Sequence, residues 1–288
     1  MTETPEALSG PIHFPWESVR RTLDWKLPHA DRFGFHRGMY TPMNSSDVQA
    51  RLVRVPAGQS SPVHRSSAET VIVGLIGEVE FSIGGERALM TARDLLQVPA
   101  DMPRSYLNVG LTDAIFFAAQ PRPEPGTAHG VTYREDESAA GWSAPDDVNV
   151  SHLRWEDYRR QVIYRGGFVQ QFGSHRGIHP HIQGTTIKGH VVRVPGGQGS
   201  PWHTVGGDVI FLGLHGEFEV YAEKQAFALG PMDVLVLPPP MYALQNVGLS
   251  EGLYFSINTK SGTATKMEYF APAVVGDPLA GPGDPIIP

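Results

Sequence analysis

The sequence RLVRVPAGQSSPVH occupies residues 51–64, and a close copy, HVVRVPGGQGSPWH, occupies residues 190–203. Both stretches keep the order of a β-branched run, a proline–glycine turn and a Ser-Pro-x-His ending. This order is typical of a strand that is followed by a tight turn. The two copies lie 139 residues apart. The chain is therefore predicted to contain the same folding unit twice.

The repeat extends well beyond this stretch in the same register. His13 is repeated as His152, and Asp94 is repeated as Asp233. The offset shortens by one residue only near the end of the unit, where the Asn-Val-Gly that begins at Asn108 recurs. We therefore predict two domains, residues 1–149 and 150–288, joined by the acidic stretch 134–147. The second domain is predicted to carry an extended Pro/Gly-rich C-terminal arm.

Composition narrows the class of protein. The chain has 32 Gly and 25 Pro spread along its length, which favours many turns between short strands. It has no Cys, which excludes disulfides and thiolate metal sites. The net charge is −7 with no basic run, so nucleic acid is not an expected partner. Neither a signal peptide nor a membrane span is predicted, so we expect a cytoplasmic protein.

The local patterns predict an all-β fold. Residues 70–76 and 78–83 are apolar, β-branched runs on either side of Gly77, and the second run ends at a Gly-Gly turn. The one helical candidate is the start of each copy, where Trp16, Val19 and Leu23 have helical spacing. A turn with a short 3₁₀ piece fits that segment equally well.

The order of strands, turns and histidines resembles the cupin family. Residues 58–64 and 197–203 match the G-x5-H of the first cupin motif, and Gly77 and Gly216 match its closing glycine. Asn108 matches the end of the second motif. The resemblance implies two tandem cupin-type jelly-roll β-barrels. It also implies a small-molecule substrate and a homodimer.

The resemblance implies a divalent metal held by two histidines and a carboxylate of the first motif and one histidine of the second. Here each copy keeps only the first histidine, as His64 and His203. The remaining positions hold other residues, namely Ser66, Thr70 and Arg104 in the first copy and Val205, Val209 and Tyr242 in the second. The expected metal set therefore departs strongly from the family pattern.

One acidic residue stands beside the lost ligand in each copy, as Glu69 and Asp208. It lies one position early, so strand alternation turns it to the other face unless a bulge turns it back. A single Fe, Mn, Ni or Zn ion held weakly by His64, Glu69, His203 and Asp208 is one expectation. The alternative is a protein that has no cofactor.

The candidate catalytic residues are His64, His203, Arg104 and Tyr242. Either imidazole is suited to act as a general acid or base, or it is a hydrogen-bonded structural residue. Arg104 would supply the positive charge of a lost metal, or form a salt bridge on the barrel rim. Tyr242 would donate a hydrogen bond or cap the barrel.

The candidate substrate-binding residues are Arg51, Tyr106, His190 and Trp202. Arg51 and His190 are equivalent in the repeat, and each shares a strand face with two valines. If that face points inward, the arginine would bind an anionic substrate. If it does not, the arginine is a strand-end residue that reaches solvent. The second copy is the preferred active pocket because Trp202, His190 and Tyr242 surround His203 there.

Two further features of the sequence are expected to have structural rather than catalytic or metal-binding roles. His179-Pro180-His181 is a dense histidine cluster, but it precedes the motif in a segment that has the pattern of a loop. The repeated Trp-Glu-x-x-Arg-Arg and Phe-Gly-x-His-Arg-Gly are expected to pack within or between the domains.

Three functions remain open. The first is a cupin enzyme acting on a small organic molecule, dioxygenase-like by resemblance. The second is a metal-free isomerase, lyase or cyclase that uses histidine acid–base chemistry. The third is a non-catalytic ligand-binding or structural bicupin.

Overall fold

The computed structural model describes residues 10–25, 37–122, 131–133, 150–164, 176–238, 241–259, 269–274 and 277–286. The predicted connection at 134–147 lies outside the described residues, as do Phe33 to His36 and Phe172 to His175 of the repeated motif. Each copy begins with one helical turn, α1 (Trp16–Val19) and α2 (Trp155–Tyr158).

The rest of the described chain is made of short strands. The first copy contains β1 (Ile12–Phe14), β2 (Asp24–Trp25), β3 (Gly38–Met39), β4 (Val48–Val55), β5 (His64–Ser66), β6 (Thr70–Ile76), β7 (Val79–Ile83), β8 (Glu86–Met90), β9 (Leu95–Val98), β10 (Arg104–Asn108), β11 (Ala114–Pro121) and β12 (Val131–Tyr133). The second copy contains β13 (Ser151–Leu153), β14 (Ile163–Tyr164), β15 (Gly177–Ile178), β16 (Ile182–Gln183), β17 (Ile187–Val194), β18 (Gly199–Thr204), β19 (Val209–His215), β20 (Phe218–Ala222), β21 (Gln225–Leu229), β22 (Val234–Leu237), β23 (Met241–Asn246), β24 (Gly252–Thr259), β25 (Tyr269–Val274) and β26 (Asp277–Ile286).

Each copy forms a barrel from a larger and a smaller antiparallel sheet. In the first barrel, the larger sheet runs β13-β9-β6-β11-β4-β3-β2 and the smaller one runs β12-β5-β10-β7-β8. In the second barrel, β1-β22-β19-β24-β17-β15-β14, with β16 on β17, faces β21-β20-β23-β18-β25-β26. The predicted all-β fold of two jelly-roll barrels is confirmed.

The strand pairing gives equivalent positions independently of the sequence repeat. Val53 lies opposite Phe116 in the first barrel, and Val192 lies opposite Tyr254 in the second. His64 lies opposite Arg104, and His203 lies opposite Tyr242. Arg104 and Tyr242 are therefore the same position in the two copies.

The first strand of each copy belongs to the other copy's sheet. Strand β1 pairs with β22 of the second barrel, and β13 pairs with β9 of the first. The sequence pattern does not predict this exchange. The domain boundary near residue 149 therefore stays a prediction. Strand β1 precedes this boundary but joins the second barrel, and β13 follows it but joins the first.

The repeated aspartates hold the exchanged segments in place. Asp94 Oδ1 accepts a hydrogen bond from the Trp155 N–H at 2.6 Å, and Asp233 Oδ1 accepts one from the Trp16 N–H at 2.7 Å. Burial alone would raise the pKa of Asp94, but His152 and the N–H groups of Trp155 and Thr91 outweigh it and lower that pKa. The repeated Trp-Glu segment is thus an inter-domain contact.

A single hydrophobic core joins the two larger sheets through their outer faces. Along β4, Val48, Ala50 and Leu52 enter this shared core, whereas Val53 and Val55 face the barrel interior. Phe117 and Phe255 are equivalent residues, and their rings meet at 6.4 Å between centroids. Contact between equivalent residues is what a pseudo-twofold axis requires.

The C-terminal arm forms a hairpin, β25–β26, on the edge of the second barrel. Strand β25 pairs with β18, so that Trp202 lies opposite Phe270. The short strand β12 takes the same place beside β5 in the first barrel. Among the described residues, no helix is long and apolar enough to cross a membrane.

Candidate functional site

The first barrel encloses a cavity of about 350 Å³ between its two sheets. Four of the residues predicted to form a site line this cavity, namely Arg51, His64, Arg104 and Tyr106. The structure therefore brings together the first-copy candidates, which lie on three different strands and are up to 55 residues apart in the sequence.

His64 lies on β5 with its ring in the cavity wall and only 7% of its surface exposed. Its Nδ1 lies 3.0 Å from the carbonyl oxygen of Pro62. Because a carbonyl can only accept, Nδ1 carries the hydrogen of the neutral ring and Nε2 carries the lone pair. The Ser-Pro-x-His turn thus fixes the ring orientation and makes Nε2 the basic atom.

The cavity is rich in positive charge. Arg104 lies on β10 directly opposite His64, and Arg51 projects from β4 on the facing sheet. Arg37 is a third lining arginine, and its Nη1 lies 3.5 Å from the Tyr106 hydroxyl. No Asp or Glu lines the cavity in the part of the chain that the structure describes.

Arg37 is a site residue that the sequence reasoning did not single out, although it belongs to the repeated Phe-Gly-x-His-Arg-Gly. That repeat is expected from the sequence to serve packing. The equivalent Arg176 is buried, and it lies beside Tyr254 of the second barrel. A charged residue kept at the same place in both copies is the signal that could have identified it.

Another part of the cavity wall is apolar and aromatic. Phe81, Tyr106 and Phe116 pack against one another with ring centroids 5.5–5.6 Å apart. Thr70 lies at the edge of this wall, and its buried hydroxyl has no hydrogen-bond partner among the described residues. The cavity therefore offers a cationic side, one unsatisfied hydroxyl and an apolar wall.

The second barrel, which the sequence favours as the active one, has aromatic side chains at two equivalent places. Phe211 replaces Ile72, and Tyr242 replaces Arg104. The rings of Phe211 and Tyr242 lie 5.2 Å apart, and Tyr242 packs on His203 at 4.2 Å. These rings pack against one another where the first barrel has an isoleucine and an arginine.

His203 is completely buried, in contrast to a catalytic acid or base that must reach its substrate. Burial lowers the pKa of its imidazole to about 3, and the Arg176 guanidinium acts in the same direction. The hydrogen bond between Nδ1 and the Pro201 carbonyl, 2.8 Å long, opposes this shift only in part. His203 is therefore neutral at physiological pH.

Two other second-copy candidates make their described contacts with residues other than His203. Trp202 points to the outer face of its sheet, where it packs with Tyr221 and Phe270 under the C-terminal hairpin. His190 stacks on His181 with ring centroids 4.6 Å apart. His179 is buried between Trp155 and Tyr158, so the His-Pro-His cluster is divided between two environments.

The carboxylates of Glu69 and Asp208 bind backbone of the opposite barrel. Glu69 accepts hydrogen bonds from the N–H groups of residues 185, 186 and 187, at 2.7, 2.5 and 2.8 Å. Asp208 accepts bonds from the Ser46 N–H and hydroxyl, each at 2.5 Å. The strand alternation expected from their early position accounts for this direction.

The residues present do not fit the metal that the resemblance implies. Of the four positions, only His64 supplies a usual ligand, and the guanidinium of Arg104 cannot coordinate a cation. Glu69 is directed at backbone amides. In the described part of the chain, no three His, Cys, Asp or Glu side chains cluster as a metal site would require.

Comparison with known proteins agrees with this architecture. Residues 51–119 match the family model described as Cupin domain. No curated protein matches the chain in sequence.

Solved structures resemble the chain over most of its length. A variant of salicylate 1,2-dioxygenase from Pseudoaminobacter salicylatoxidans in complex with gentisate is 14% identical with a TM-score of 0.67, covering 91% of this chain and 84% of that one. AerE from Microcystis aeruginosa is 15% identical with a TM-score of 0.58, covering 87% and 98%. These likenesses establish the fold. Residues 51–119 thus match a cupin domain, and the fold of the chain is similar to that of these two-barrel structures.

Proposed function

We propose that the first barrel is the functional one, and that it binds a small organic acid which His64 converts by proton transfer without a bound metal. The observation that carries this proposal is the cavity itself, in which Arg37, Arg51 and Arg104 surround one oriented imidazole. Guanidinium groups bind carboxylates through paired, charge-assisted hydrogen bonds. The gentisate bound by the dioxygenase variant is likewise a small organic acid.

The proposed chemistry uses His64 as the base. Nε2 takes a proton from the bound acid, and the negative charge that develops is stabilised by the neighbouring Arg104 guanidinium. The same nitrogen then returns the proton to another atom of the ligand. Isomerisation, elimination and cyclisation all follow this course, and none of them requires an oxidant.

Deuterium exchange tests this step even though the product is unidentified. A panel of small carboxylic acids is incubated with the protein in D2O, and loss of C–H signal is followed by proton NMR. We expect exchange in at least one acid that binds, and a decrease of about 100-fold or more in His64→Gln. His215→Gln is the matched control, because His215 is exposed on the second barrel.

Two outcomes would contradict the catalytic proposal. Equal exchange in His64→Gln and the unaltered protein would remove His64 from the reaction. Binding without exchange in any acid of the panel would favour the alternative function, a bicupin that binds its ligand without converting it.

Metal content provides a separate test. Because each copy retains one ordinary ligand, we expect protein purified without chelator to contain less than about a tenth of an equivalent of Fe, Mn, Ni or Zn. Inductively coupled plasma mass spectrometry gives this number directly. About one equivalent per chain would instead support the dioxygenase-like enzyme that the resemblance implies.

A further inference from the structure

Part of the cavity wall in the first barrel is polar but uncharged. This neutral patch consists of Gln49, Ser66, Thr70 and Gln120. Gln49 lies opposite Gln120 on the paired strands β4 and β11. The antiparallel register of β6 with β11, extended by one position, sets Thr70 opposite Gln120 as well. Ser66 Oγ lies 3.5 Å from Gln120 Oε1, so the four side chains form one continuous surface.

Thr70 is the member of the neutral patch whose hydroxyl is unsatisfied. Its side chain lines the cavity from the face of β6 that it shares with Ile72. The residue is only 7% exposed, and within the described ranges its Oγ1 has no hydrogen-bond partner. A buried hydroxyl without a partner destabilises the folded state. A ligand group that bonds to this oxygen would therefore stabilise the complex.

The hydroxyl can reach a ligand without breaking any bond of the fold. Rotation of Thr70 about its Cα–Cβ bond exchanges the hydroxyl and the methyl among staggered positions. Threonine commonly occupies more than one of these positions. Since Oγ1 makes no hydrogen bond among the described residues, no such bond opposes its rotation toward the cavity.

The second copy shows that packing at this position does not need a hydroxyl. The equivalent residue is Val209, which has the branched shape of threonine with a methyl in place of the hydroxyl. Val209 is buried in the apolar cluster of the second barrel. The same strand position thus accepts an apolar residue in one copy and holds an unsatisfied hydroxyl in the other. This difference favours a role of Thr70 in binding.

The neutral patch also adjoins the proposed base. Ser66 and His64 lie two residues apart on β5, so their side chains share a face of that strand, and both line the cavity. Hydroxyl and amide groups donate and accept hydrogen bonds without carrying charge. The patch is therefore suited to an uncharged polar group of a ligand.

We propose that Thr70 is a specificity-determining residue of the first barrel, and that it selects an organic acid which carries a hydroxyl group. The Thr70 hydroxyl bonds to the hydroxyl of the ligand, and Gln120 supplies a neighbouring uncharged partner. This proposal rests on the proposed function, since it specifies which acid the cavity accepts. The selection acts on the uncharged part of the ligand.

Matched pairs of ligands test the proposal. The probes are the 2-hydroxy and 3-hydroxy derivatives of butanoate, pentanoate and hexanoate, as separate enantiomers, and each unsubstituted acid. We expect isothermal titration calorimetry to show that at least one hydroxy acid binds about tenfold or more tightly than its parent. In Thr70→Val this ratio should fall by about fivefold or more, whereas the parent acid should bind as before. Thr70→Ser keeps the hydroxyl and should retain the ratio.

Stability separates this role from a structural one. Thr70→Val removes a hydroxyl that has no partner in the described fold, so its thermal unfolding midpoint should equal or exceed that of the unaltered protein. Thr112→Val is the matched control, because Thr112 is exposed on a loop of the same barrel and its replacement should leave the ratio unchanged. If Thr70→Val does not fold, Thr70→Ala takes its place.

The possible failures are distinguishable. If a hydroxy acid and its parent bind the unaltered protein equally well in every pair, selection by Thr70 is wrong while the organic-acid site stands. If no acid of either kind binds, the organic-acid site is wrong as well. A preference for the hydroxy acid that persists in a folded Thr70→Val would also overturn the proposal, since another group would then recognise the hydroxyl.

Discussion

At the scale of single residues, the two retained histidines show how neighbours decide what an imidazole can do. His64 and His203 follow the same Ser-Pro-x turn and make the same Nδ1 contact with a proline carbonyl. His64 faces an open cavity opposite Arg104, whereas His203 is fully buried against Tyr242. The first faces the cavity in which we propose proton transfer, and the second contributes to packing.

The buried His203 makes the stability of the protein depend on pH. The folded-state pKa of about 3 lies below the ordinary value of 6.5, so only the unfolded chain binds the proton between those limits. The contribution of His203 to the free energy of unfolding is therefore fully present above pH 6.5. It decreases as the pH falls toward 3, by up to about 1.4 kcal/mol per pH unit.

Urea unfolding of the unaltered protein and of His203→Leu from pH 5 to pH 8 measures this contribution. The difference in unfolding free energy between the two proteins should change with pH below 6.5 and be constant above it. In His215→Gln, which changes an exposed histidine, the pH dependence should match that of the unaltered protein. Parallel curves for His203→Leu would show that folding does not lower the pKa of this imidazole.

At the scale of elements, two carboxylates join the barrels through the turns that precede β4 and β17. Glu69 binds three consecutive N–H groups at the start of β17, and Asp208 binds Ser46 just before β4. Gly184 permits the approach, since an added Cβ there would lie 2.2 Å from Glu69 Oε2. Strand β4 in turn carries Arg51 into the cavity.

Replacing either carboxylate should weaken the molecule considerably. In Glu69→Gln, an amide N–H group is set against backbone donors, and we expect a loss of about 1–3 kcal/mol in unfolding free energy. Asp208→Asn should behave similarly. Glu86→Gln is the matched control on an exposed strand of the first barrel. If urea unfolding gave the same loss for Glu69→Gln as for the control, the carboxylate would not be a significant link between the barrels.

The sequence predicted the strands better than it predicted which strands pair with one another. Alternation along β4 places Arg51 on the same face as Val53 and Val55, and the structure shows that this face points inward. The exchange of β1 and β13 could not be read in the same way. A strand such as residues 12–14 satisfies its hydrogen bonds equally well in either barrel, and the choice depends on tertiary contacts of Asp233 and Trp16.

The preference for the second barrel stays a prediction, but the structure removes one of the residues on which that preference rests. Trp202 and His190 are large or polar residues of the kind that line pockets. Trp202 and His203 are neighbours on one strand, however, so their side chains point to opposite faces of the sheet. Trp202 therefore leaves the interior that His203 enters. The volume of a barrel's cavity depends on the side chains at several equivalent positions, such as Ile72 in the first copy and Phe211 in the second. No single sequence motif predicts that volume.

At the scale of the whole molecule, the shared core makes the two barrels one folding unit. Residues from both larger sheets pack into it, including Phe117 and Phe255. Each barrel also completes its sheet with a strand from the other copy. Neither barrel can unfold without exposing the apolar face of its neighbour.

Differential scanning calorimetry should therefore show one transition, with equal calorimetric and van't Hoff enthalpies. Phe117→Ala should lower the midpoint without splitting the peak, because the lost contact belongs to both barrels. Phe81→Ala, inside the first barrel, provides a comparison of equal chemistry away from the shared core. Two resolved peaks would mean that the barrels unfold independently.

The strand exchange has a consequence for the history of the two interiors. Two separate single-barrel chains related by such an axis would be a swapped dimer, in which every substitution appears twice. Fusion into one polypeptide removes that constraint. The two interiors of one chain are thus free to differ, and here Phe211 and Tyr242 pack in one barrel whereas Arg51 and Arg104 line the cavity of the other.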